Sequence, residues 1–268
     1  MHIHIGHSTV YRYSPPATGV IQLLRLTPRD HEGQHVARWR IDVSPDARLT
    51  AHEDAFGNIT HVFNTVGSFA ELRIDIEGEV ATQDTHGVIR GAVERFPQEL
   101  FRRNTPLIAA DHAIRDFADQ IHAARGDNAL AQAHAVLEWL HKEMTFDLAM
   151  TDQLPTASEA FALKRGVCRD LCHIFLAAVH HLGMPARYVA GYLHMADGTV
   201  DQEAGHAWAE AFIPDVGWVG FDPANAICPT EAYVRVAIGL DSTGAAPVRG
   251  MRFGAGNENL DVAITVGQ

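Results

Sequence analysis

Three residues of this chain carry the side chains needed for acyl transfer through a cysteine. Cys168 lies in the run Gly166-Val167-Cys168-Arg169-Asp170, and His206 and Asp222 follow it in that order. A thiol can act as the nucleophile, an imidazole can take up its proton, and a carboxylate can fix the tautomer of the imidazole. The sequence therefore predicts an active site if the fold brings these three side chains together.

The composition excludes several classes of protein. The chain has 268 residues, 47% hydrophobic and 20% charged, which is typical of a globular protein with one large or two small domains. A formal net charge of -12 disfavours binding to nucleic acid or to an anionic membrane surface. No apolar run approaches the ~18–20 residues of a membrane helix, and the N-terminus does not resemble a signal peptide. Three cysteines cannot all pair, so we expect a reduced, cytoplasmic protein.

The hydrophobic pattern changes along the chain. Residues 1–85 alternate apolar and polar side chains in several runs separated by turn signals, which predicts an antiparallel β-sandwich. The turn signals include Pro15-Pro16 and Val66-Gly67-Ser68. Residues 86–107 show little periodicity and are interpreted as a connector. Residues 108–268 form the second predicted domain, in which helices pack on an antiparallel sheet, so the fold class is α+β.

The second domain contains the predicted helices and strands that must position the site. Apolar residues recur at helical spacing from about Asp111 and again from Ala133 to Met144. Thr156 and Glu159 form a capping-box pattern for a short helix over Ala157–Lys164. The next helix is predicted to start at Val167 or Cys168 and to end at Leu182, before Gly183 and Pro185. Three strands are then predicted, at Ala186–His194, Gly205–Ile213 and Trp218–Asp222.

Cys168 therefore falls in the first turn of a predicted helix. Free N–H groups and the positive end of the helix dipole stabilise a thiolate there. Cys172, one turn later, and Cys228 are interpreted as core cysteines. A zinc site built from Cys168, Cys172, His173 and His206 is an alternative. It is disfavoured because the 17 histidines are scattered and no His/Cys group has the spacing of a zinc site.

His206 and Asp222 lie on consecutive predicted strands, so the register of that hairpin decides whether they meet. If they oppose each other directly, Glu210 opposes Trp218, Trp208 opposes Gly220, and the turn has about three residues. If Ile213 opposes Trp218 instead, His206 and Asp222 point to opposite faces of the sheet. A functional triad therefore predicts the first register.

Four sequence runs, in this order, resemble the bacterial transglutaminase-like superfamily. The opening His7-Ser8-Thr9-Val10-Tyr11-Arg12-Tyr13 also resembles the β-rich domain that often precedes that core, and Arg235–Gly239 with Asp241 resembles the segment after it. The four runs are Arg165-Gly166-Val167-Cys168-Arg169-Asp170, Arg187-Tyr188-Val189-Ala190-Gly191-Tyr192, Gly205-His206-Ala207-Trp208-Ala209-Glu210 and Gly217-Trp218-Val219-Gly220-Phe221-Asp222-Pro223.

The resemblance implies a papain-like core in which Cys168 is the nucleophile, His206 the general base and acid, and Asp222 the residue that orients His206. Arg169 stands where related sequences often have Gln, and Cys172 where a small residue is usual. We expect Trp208, Trp218, Arg169 and Glu210 to surround the site or to contact the substrate.

The expected reaction is acyl transfer on a peptide or side-chain amide through a thioester, with hydrolysis favoured over transamidation. No metal or other cofactor is predicted, and the sequence leaves the oligomeric state open. A non-catalytic peptide-binding module on the same fold is the alternative function. The presence of all three triad residues disfavours it.

Overall fold

The computed structural model describes residues 1–150 and 153–268. These residues form fourteen strands, four α-helices and three short 3-10 helices. The strands are β1 (His2–Thr27), β2 (Gln34–Ser44), β3 (Thr50–Glu53), β4 (Ile59–Thr82), β5 (Val88–Ile89), β6 (Thr145–Phe146), β7 (Arg165–Gly166), β8 (Ala186–Leu193), β9 (Asp201–Gln202), β10 (His206–Ile213), β11 (Gly217–Phe221), β12 (Tyr233–Gly239), β13 (Val248–Phe253) and β14 (Asn257–Gly267). The helices are α1 (His112–Arg125), α2 (Ala129–Glu143), α3 (Ala157–Leu163) and α4 (Cys168–His181), and the 3-10 helices are Gln98–Arg102, Pro106–Ile108 and Leu148–Met150.

The first sheet is antiparallel and contains two unusually long strands, β1 and β4. Its order is β2-β4-β1-β14-β9, with β13 also paired to β1 and β3 to β4. The pairing of β1 with β4 shifts register between Arg12 and Ala17, and the halves on either side of the shift enclose a common apolar cluster. Members of this cluster include Tyr13, Val20, Leu24, Phe63, Leu72 and Ile74. The predicted antiparallel β-sandwich is thus confirmed.

Two predicted turns in this sheet are wrong. Pro15-Pro16 lies within β1, and Val66-Gly67-Ser68 lies within β4. The prolines fall in the gap between the β4-paired residues Arg12 and Ala17, where a missing N–H removes no hydrogen bond to β4. The long strands therefore continue through residues whose types usually end a strand.

The C-terminal strands change the domain division that the sequence suggested. β13 pairs with Gly19–Leu24 of β1, and β14 pairs with His4–Ser14 of β1. Residues 248–267 thus belong to the first sheet, although the sequence placed them in the domain 108–268. The alternation of apolar and polar residues predicts a strand, but it does not specify which sheet the strand joins. Within the predicted connector 86–107, β5 adds an edge strand to the second sheet by pairing with β11.

The second sheet is antiparallel in the order β12-β8-β10-β11-β5. Helix α4 packs in one core with the buried alanines of β10, which are Ala207, Ala209 and Ala211. Small side chains let a helix lie close to a sheet, so α4 and β10 are held together along their length. The core also takes in Ile5 and Val266 of the first sheet, so both sheets support α4.

The predicted capping box of Thr156 and Glu159 is present, and a further cap starts α1. The Asp111 carboxylate accepts a hydrogen bond from the N–H of Ile114 and starts α1. In the capping box of α3, the N–H of Glu159 donates to the Thr156 hydroxyl at 3.3 Å and the N–H of Thr156 donates to the Glu159 carboxylate at 2.8 Å. In the part of the chain that the structure describes, no helix is long and apolar enough to cross a membrane.

A buried network of charges joins three strands of the second sheet. Glu210 of β10 accepts hydrogen bonds from Arg187 of β8 and from Arg235 of β12, both at 2.6 Å. Arg187 also binds Glu94 at 2.7 Å. Arg187 and Glu210 have no exposed side-chain surface. Burial alone would raise the pKa of Glu210, but Arg235 and Arg187 lower it to about 2.

Replacing Glu210 with Gln should lower the free energy of unfolding by about 3–5 kcal/mol, because the buried Arg187 would lose one of its carboxylate partners. Urea unfolding at pH 7 measures this loss. The matched control is Glu77→Gln, whose partner Arg38 belongs to a surface pair with exposed fractions of 60% and 69%. The control should lose less than about 1 kcal/mol, and equal small losses in both variants would contradict the role given to Glu210.

The Glu210 carboxylate also makes the free energy of unfolding depend on pH in the acid range. The pKa of Glu210 is about 2 in the folded protein, against an ordinary value of 4.5. Its contribution is therefore complete above pH 4.5 and is lost as the pH falls towards 2. The unfolding free energy of the wild type should fall more steeply across that window than the unfolding free energy of Glu210→Gln.

Candidate active site

Cys168 is the first residue of α4, and its position is set by the residues around it. At Gly166 a side chain would clash, because a Cβ there would lie 2.7 Å from the Cβ of Asp170. The Asp170 carboxylate accepts a hydrogen bond from the N–H of Val167 at 3.0 Å. These contacts fix the first turn of the helix and leave Cys168 partly exposed at its positive end.

His206 and Asp222 meet directly. His206 is the first residue of β10, and Asp222 follows the last residue of β11. Nε2 of His206 lies 2.6 Å from Oδ2 of Asp222, which has no exposed side-chain surface. Cys168 lies close enough to His206 to raise the pKa of the imidazole. Because Nε2 is bound to Asp222, Nδ1 is the ring nitrogen left to exchange a proton with the thiol. The structure thus brings the three predicted side chains together, with a hydrogen bond between His206 and Asp222 and with Cys168 beside the imidazole.

The predicted register of the β10–β11 hairpin is wrong by two residues. Glu210 pairs with Gly220 and Phe212 with Trp218. In this register Asp222 does not lie directly opposite His206 but two residues further along the strand direction. A shift of two residues keeps the face of each side chain, so the two residues still meet. The turn does have three residues, 214–216, and Asp215 with φ 64° and Gly217 with φ 101° give it the left-handed conformations that short hairpins use.

The surroundings favour a charged imidazole. Burial alone would lower the pKa of His206, but the hydrogen bond with Asp222 and the nearby Cys168 raise it to about 10. Burial would raise the pKa of Asp222, yet the hydrogen bond and charge of His206 lower it. His206 is therefore an imidazolium at neutral pH, and an adjacent positive charge stabilises a thiolate.

The Asp222 carboxylate has two further donors that the sequence analysis did not find. The hydroxyl of Tyr233 lies 2.7 Å from Oδ2, and Nδ2 of Asn225 lies 2.8 Å from the same oxygen. Asn225 follows Asp222 by three residues in a Pro-containing turn, a local signal that could have been noticed. Tyr233 comes from another strand, and nothing in the sequence marks it.

The zinc alternative does not match the geometry. Nε2 of His173 accepts a hydrogen bond from the N–H of Ser242 at 3.1 Å, and Cys172 is fully buried below Cys168. Over residues 1–150 and 153–268, no group of three or more His, Cys, Asp or Glu side chains is arranged to hold a metal ion.

Two family models match the chain. Residues 3–81 match the bacterial transglutaminase-like N-terminal region, and residues 115–223 match the transglutaminase-like superfamily. The second match contains Cys168, His206 and Asp222. The chain belongs to the transglutaminase-like superfamily.

Several other proteins resemble the chain to different extents. An uncharacterized protein of Mycobacterium leprae is 27% identical over 98% of this chain and 98% of its own. A protein-glutamine gamma-glutamyltransferase of Pseudomonas aeruginosa is 27% identical over 52% of this chain but only 23% of its own. The crystal structure of a proposed cysteine protease from Cytophaga hutchinsonii has a TM-score of 0.78 at 18% identity and covers 100% of this chain and 90% of its own. That similarity shows a shared fold.

The two tryptophans predicted near this transglutaminase-like site have different positions. The ring of Trp208 stacks beside the ring of His206, with 6.2 Å between centroids. Trp218 instead contacts Phe101 edge-on, and the guanidinium of Arg187 lies 3.9 Å from the centre of its ring. Trp208 is thus a neighbour of the triad, whereas Trp218 covers the buried charge network.

Arg169 and Glu210, the other two residues expected around the site, are held by protein groups. The guanidinium of Arg169 donates to the Asp170 carboxylate at 2.9 Å and to the backbone carbonyl of Gln153. Glu210 is fully buried between Arg187 and Arg235 and offers no surface to a substrate. The structure thus places Arg169 beside the start of α4 and Glu210 beneath the sheet surface.

Cys168 should react with iodoacetamide faster than Cys228 or Cys172 at both pH 6 and pH 8, because it lies at the start of α4 beside His206. Burial raises the pKa of Cys228, and burial raises the pKa of Cys172 well above its ordinary value. Mass mapping of the alkylated peptides at pH 6 and pH 8 measures the three rates. His206→Ala should remove the advantage, and a Cys168 rate no greater than that of a small-molecule thiol at pH 6 would contradict the imidazolium–thiolate arrangement.

Trp208→Ala and Trp218→Ala should each lower the free energy of unfolding by about 3–5 kcal/mol, because both side chains are buried. Only Trp208→Ala should also slow the alkylation of Cys168 in the folded protein, since its ring supports His206. Urea unfolding and alkylation rates test the two effects separately. Equal slowing of alkylation by both variants would contradict the role given to the contact between Trp208 and His206 in the reactivity of Cys168.

Proposed function

We propose that this protein is a cysteine acyltransferase that acts on peptide or side-chain amides and that uses water as the usual acceptor. The observation that carries the proposal is the arrangement of the three side chains: Cys168 at the start of α4, His206 beside it, and the buried Asp222 bonded to His206. Each group has a partner that suits its role, and these three roles together are those of a thiol-dependent acyl transfer.

The first half of the reaction forms the thioester. The Cys168 thiolate attacks the amide carbonyl carbon, and a C–S bond forms as the carbonyl oxygen takes up negative charge. The backbone N–H of Cys168, in the first turn of α4, is the candidate donor to that oxygen. The C–N bond then breaks, and the imidazolium of His206 gives its proton to the leaving amine.

The second half returns the enzyme to its starting state. Neutral His206 takes a proton from a water molecule, whose oxygen attacks the thioester carbonyl. The C–S bond breaks, the acid product leaves, and the thiolate and imidazolium are restored. An amine in place of water would give transamidation by the same steps. The partial exposure of Cys168 supports hydrolysis, because water can then reach the thioester.

Cys168→Ala should abolish turnover, because no other group can form the thioester. His206→Ala should come close to abolishing it, and Asp222→Ala should slow it by about 10²–10⁴-fold, since orientation and imidazolium stabilisation are partial contributions. A library of Gln- and Asn-containing peptides, incubated with and without a primary amine, would measure the turnover. Release of the free acid would indicate hydrolysis, and incorporation of the amine would indicate transamidation.

The matched control is Cys228→Ala, which removes a thiol outside the triad and should leave turnover unchanged. Full activity of Cys168→Ala on any substrate found in this way would disprove the assignment of the nucleophile. Tight binding of a peptide by the wild type with no acyl transfer to water or amine would favour the peptide-binding alternative.

A further inference from the structure

The Asp222 carboxylate is surrounded by hydrogen-bond donors. Oδ2 lies 2.6 Å from Nε2 of His206, 2.7 Å from the hydroxyl of Tyr233 and 2.8 Å from Nδ2 of Asn225. Oδ1 accepts from the N–H of Ala224 at 2.9 Å. Only His206 among these takes part in proton transfer. The others neutralise a buried charge that would otherwise favour protonation of the carboxylate.

Asn225 and Tyr233 reach this carboxylate from different parts of the fold. Asn225 belongs to the turn that follows Asp222, so its bond is local. Tyr233 is the first residue of β12, which is an edge strand of the second sheet. Asp222 directly follows β11, and β8 and β10 lie between β11 and β12 in the sheet. The Tyr233 hydroxyl therefore ties a distant strand to the triad.

The ring of Tyr233 also contacts the other members of the site. It lies 5.8 Å from the ring of His206 and packs edge-on against Trp208 at 5.3 Å. Tyr233 is buried, at 5% exposure. The side chain of Tyr233 thus limits the movement of the His206 imidazole and of the Asp222 carboxylate to which the imidazole is bonded.

The Tyr233 hydroxyl stays protonated at working pH and can therefore donate to Asp222. Burial and then the charge of Asp222 raise the pKa of Tyr233 far above its ordinary value. The phenol therefore keeps its proton and directs it at Oδ2. Because the phenol donates a hydrogen bond to the Asp222 carboxylate, it stabilises the ionised form of that carboxylate. Asp222 then stays negatively charged and does not take the proton of His206.

We propose that Tyr233 is a positioning residue for the triad, whose hydroxyl keeps Asp222 ionised and turned towards Nε2 of His206. The inference rests on the proposed function, because it assigns Tyr233 a part in that reaction. Tyr233 acts through Asp222 and does not itself touch the substrate carbonyl. Removal of its hydroxyl should therefore reduce the rate of the chemical step and leave substrate binding unchanged.

The test uses Tyr233→Phe, which keeps the ring and removes the hydroxyl. The matched control is Tyr192→Phe, since the Tyr192 hydroxyl is also buried but binds Nδ1 of His7 at 2.9 Å, away from the triad. Tyr233→Phe should lower kcat by about tenfold with KM unchanged, as expected for loss of a hydrogen bond to a charged group. It should slow alkylation of Cys168 at pH 6 by a similar factor. The control should stay within about twofold of the wild type in both assays, a margin well below the effect of one such bond.

A double-mutant cycle separates positioning from a general structural role. In an Asp222→Ala background, Tyr233→Phe should have no further effect on alkylation of Cys168, because the group through which it acts is gone. An equal loss with and without Asp222 would overturn the proposal. Should Tyr233→Phe not fold, as judged by urea unfolding, 3-fluorotyrosine at position 233 keeps the hydroxyl and the shape and should restore the wild-type rate. A fluorotyrosine protein that folds but alkylates as slowly as Asp222→Ala would also overturn it.

The two assays distinguish failure of this inference from failure of the proposed function. If the wild type turns over no amide but Tyr233→Phe slows alkylation of Cys168, the inference stands and the proposed function fails. If the wild type is active and Tyr233→Phe matches Tyr192→Phe in both assays, the proposed function stands and the inference is wrong.

Discussion

The structure around the site depends on one buried negative charge. Asp222 has no contact with solvent, and an isolated carboxylate in such a place would take up a proton. It stays ionised because donors from β10, from β12 and from its own turn converge on its two oxygens. The charge in turn raises the pKa of His206, so that an imidazolium lies beside Cys168.

A second buried network of charges, around Glu210, also helps to fix the position of the site. Glu210 lies two strand positions beyond Trp208 and joins Arg187 and Arg235 of the neighbouring strands. Because β8, β10 and β12 are tied together there, the start of β10 has little freedom to slide. The position of His206 is thus set by packing and ion pairs that have no part in the chemistry.

The two sheets form a single supporting structure. The last two strands return to β1, and Ile5 and Val266 of the first sheet share a core with α4. The N-terminal region therefore stabilises the helix that carries Cys168, in addition to any separate role it has. Small residues on β10 bring α4 close enough for its first residue to reach the imidazole.

The sequence by itself determined the residue types of the triad, the start of α4 to within one residue of Cys168, the capping box of α3 and the presence of the strands around the site. These features depend on periodicity and on hydrogen bonds between residues a few positions apart, which a sequence displays directly. The capping box of Thr156 and Glu159 and the helix that begins beside Gly166 are examples.

Only the tertiary structure decided how distant segments meet. The β10–β11 register lies two residues from the predicted one, because Asp215 and Gly217 set the turn and packing across the sheet selects the pairing. The assignment of β13 and β14 to the first sheet, the place of Trp218 over Arg187 and the donation from Tyr233 to Asp222 are of the same kind. Each depends on how separate strands pack against one another, and those contact energies depend on the whole core, so no local pattern could have specified them.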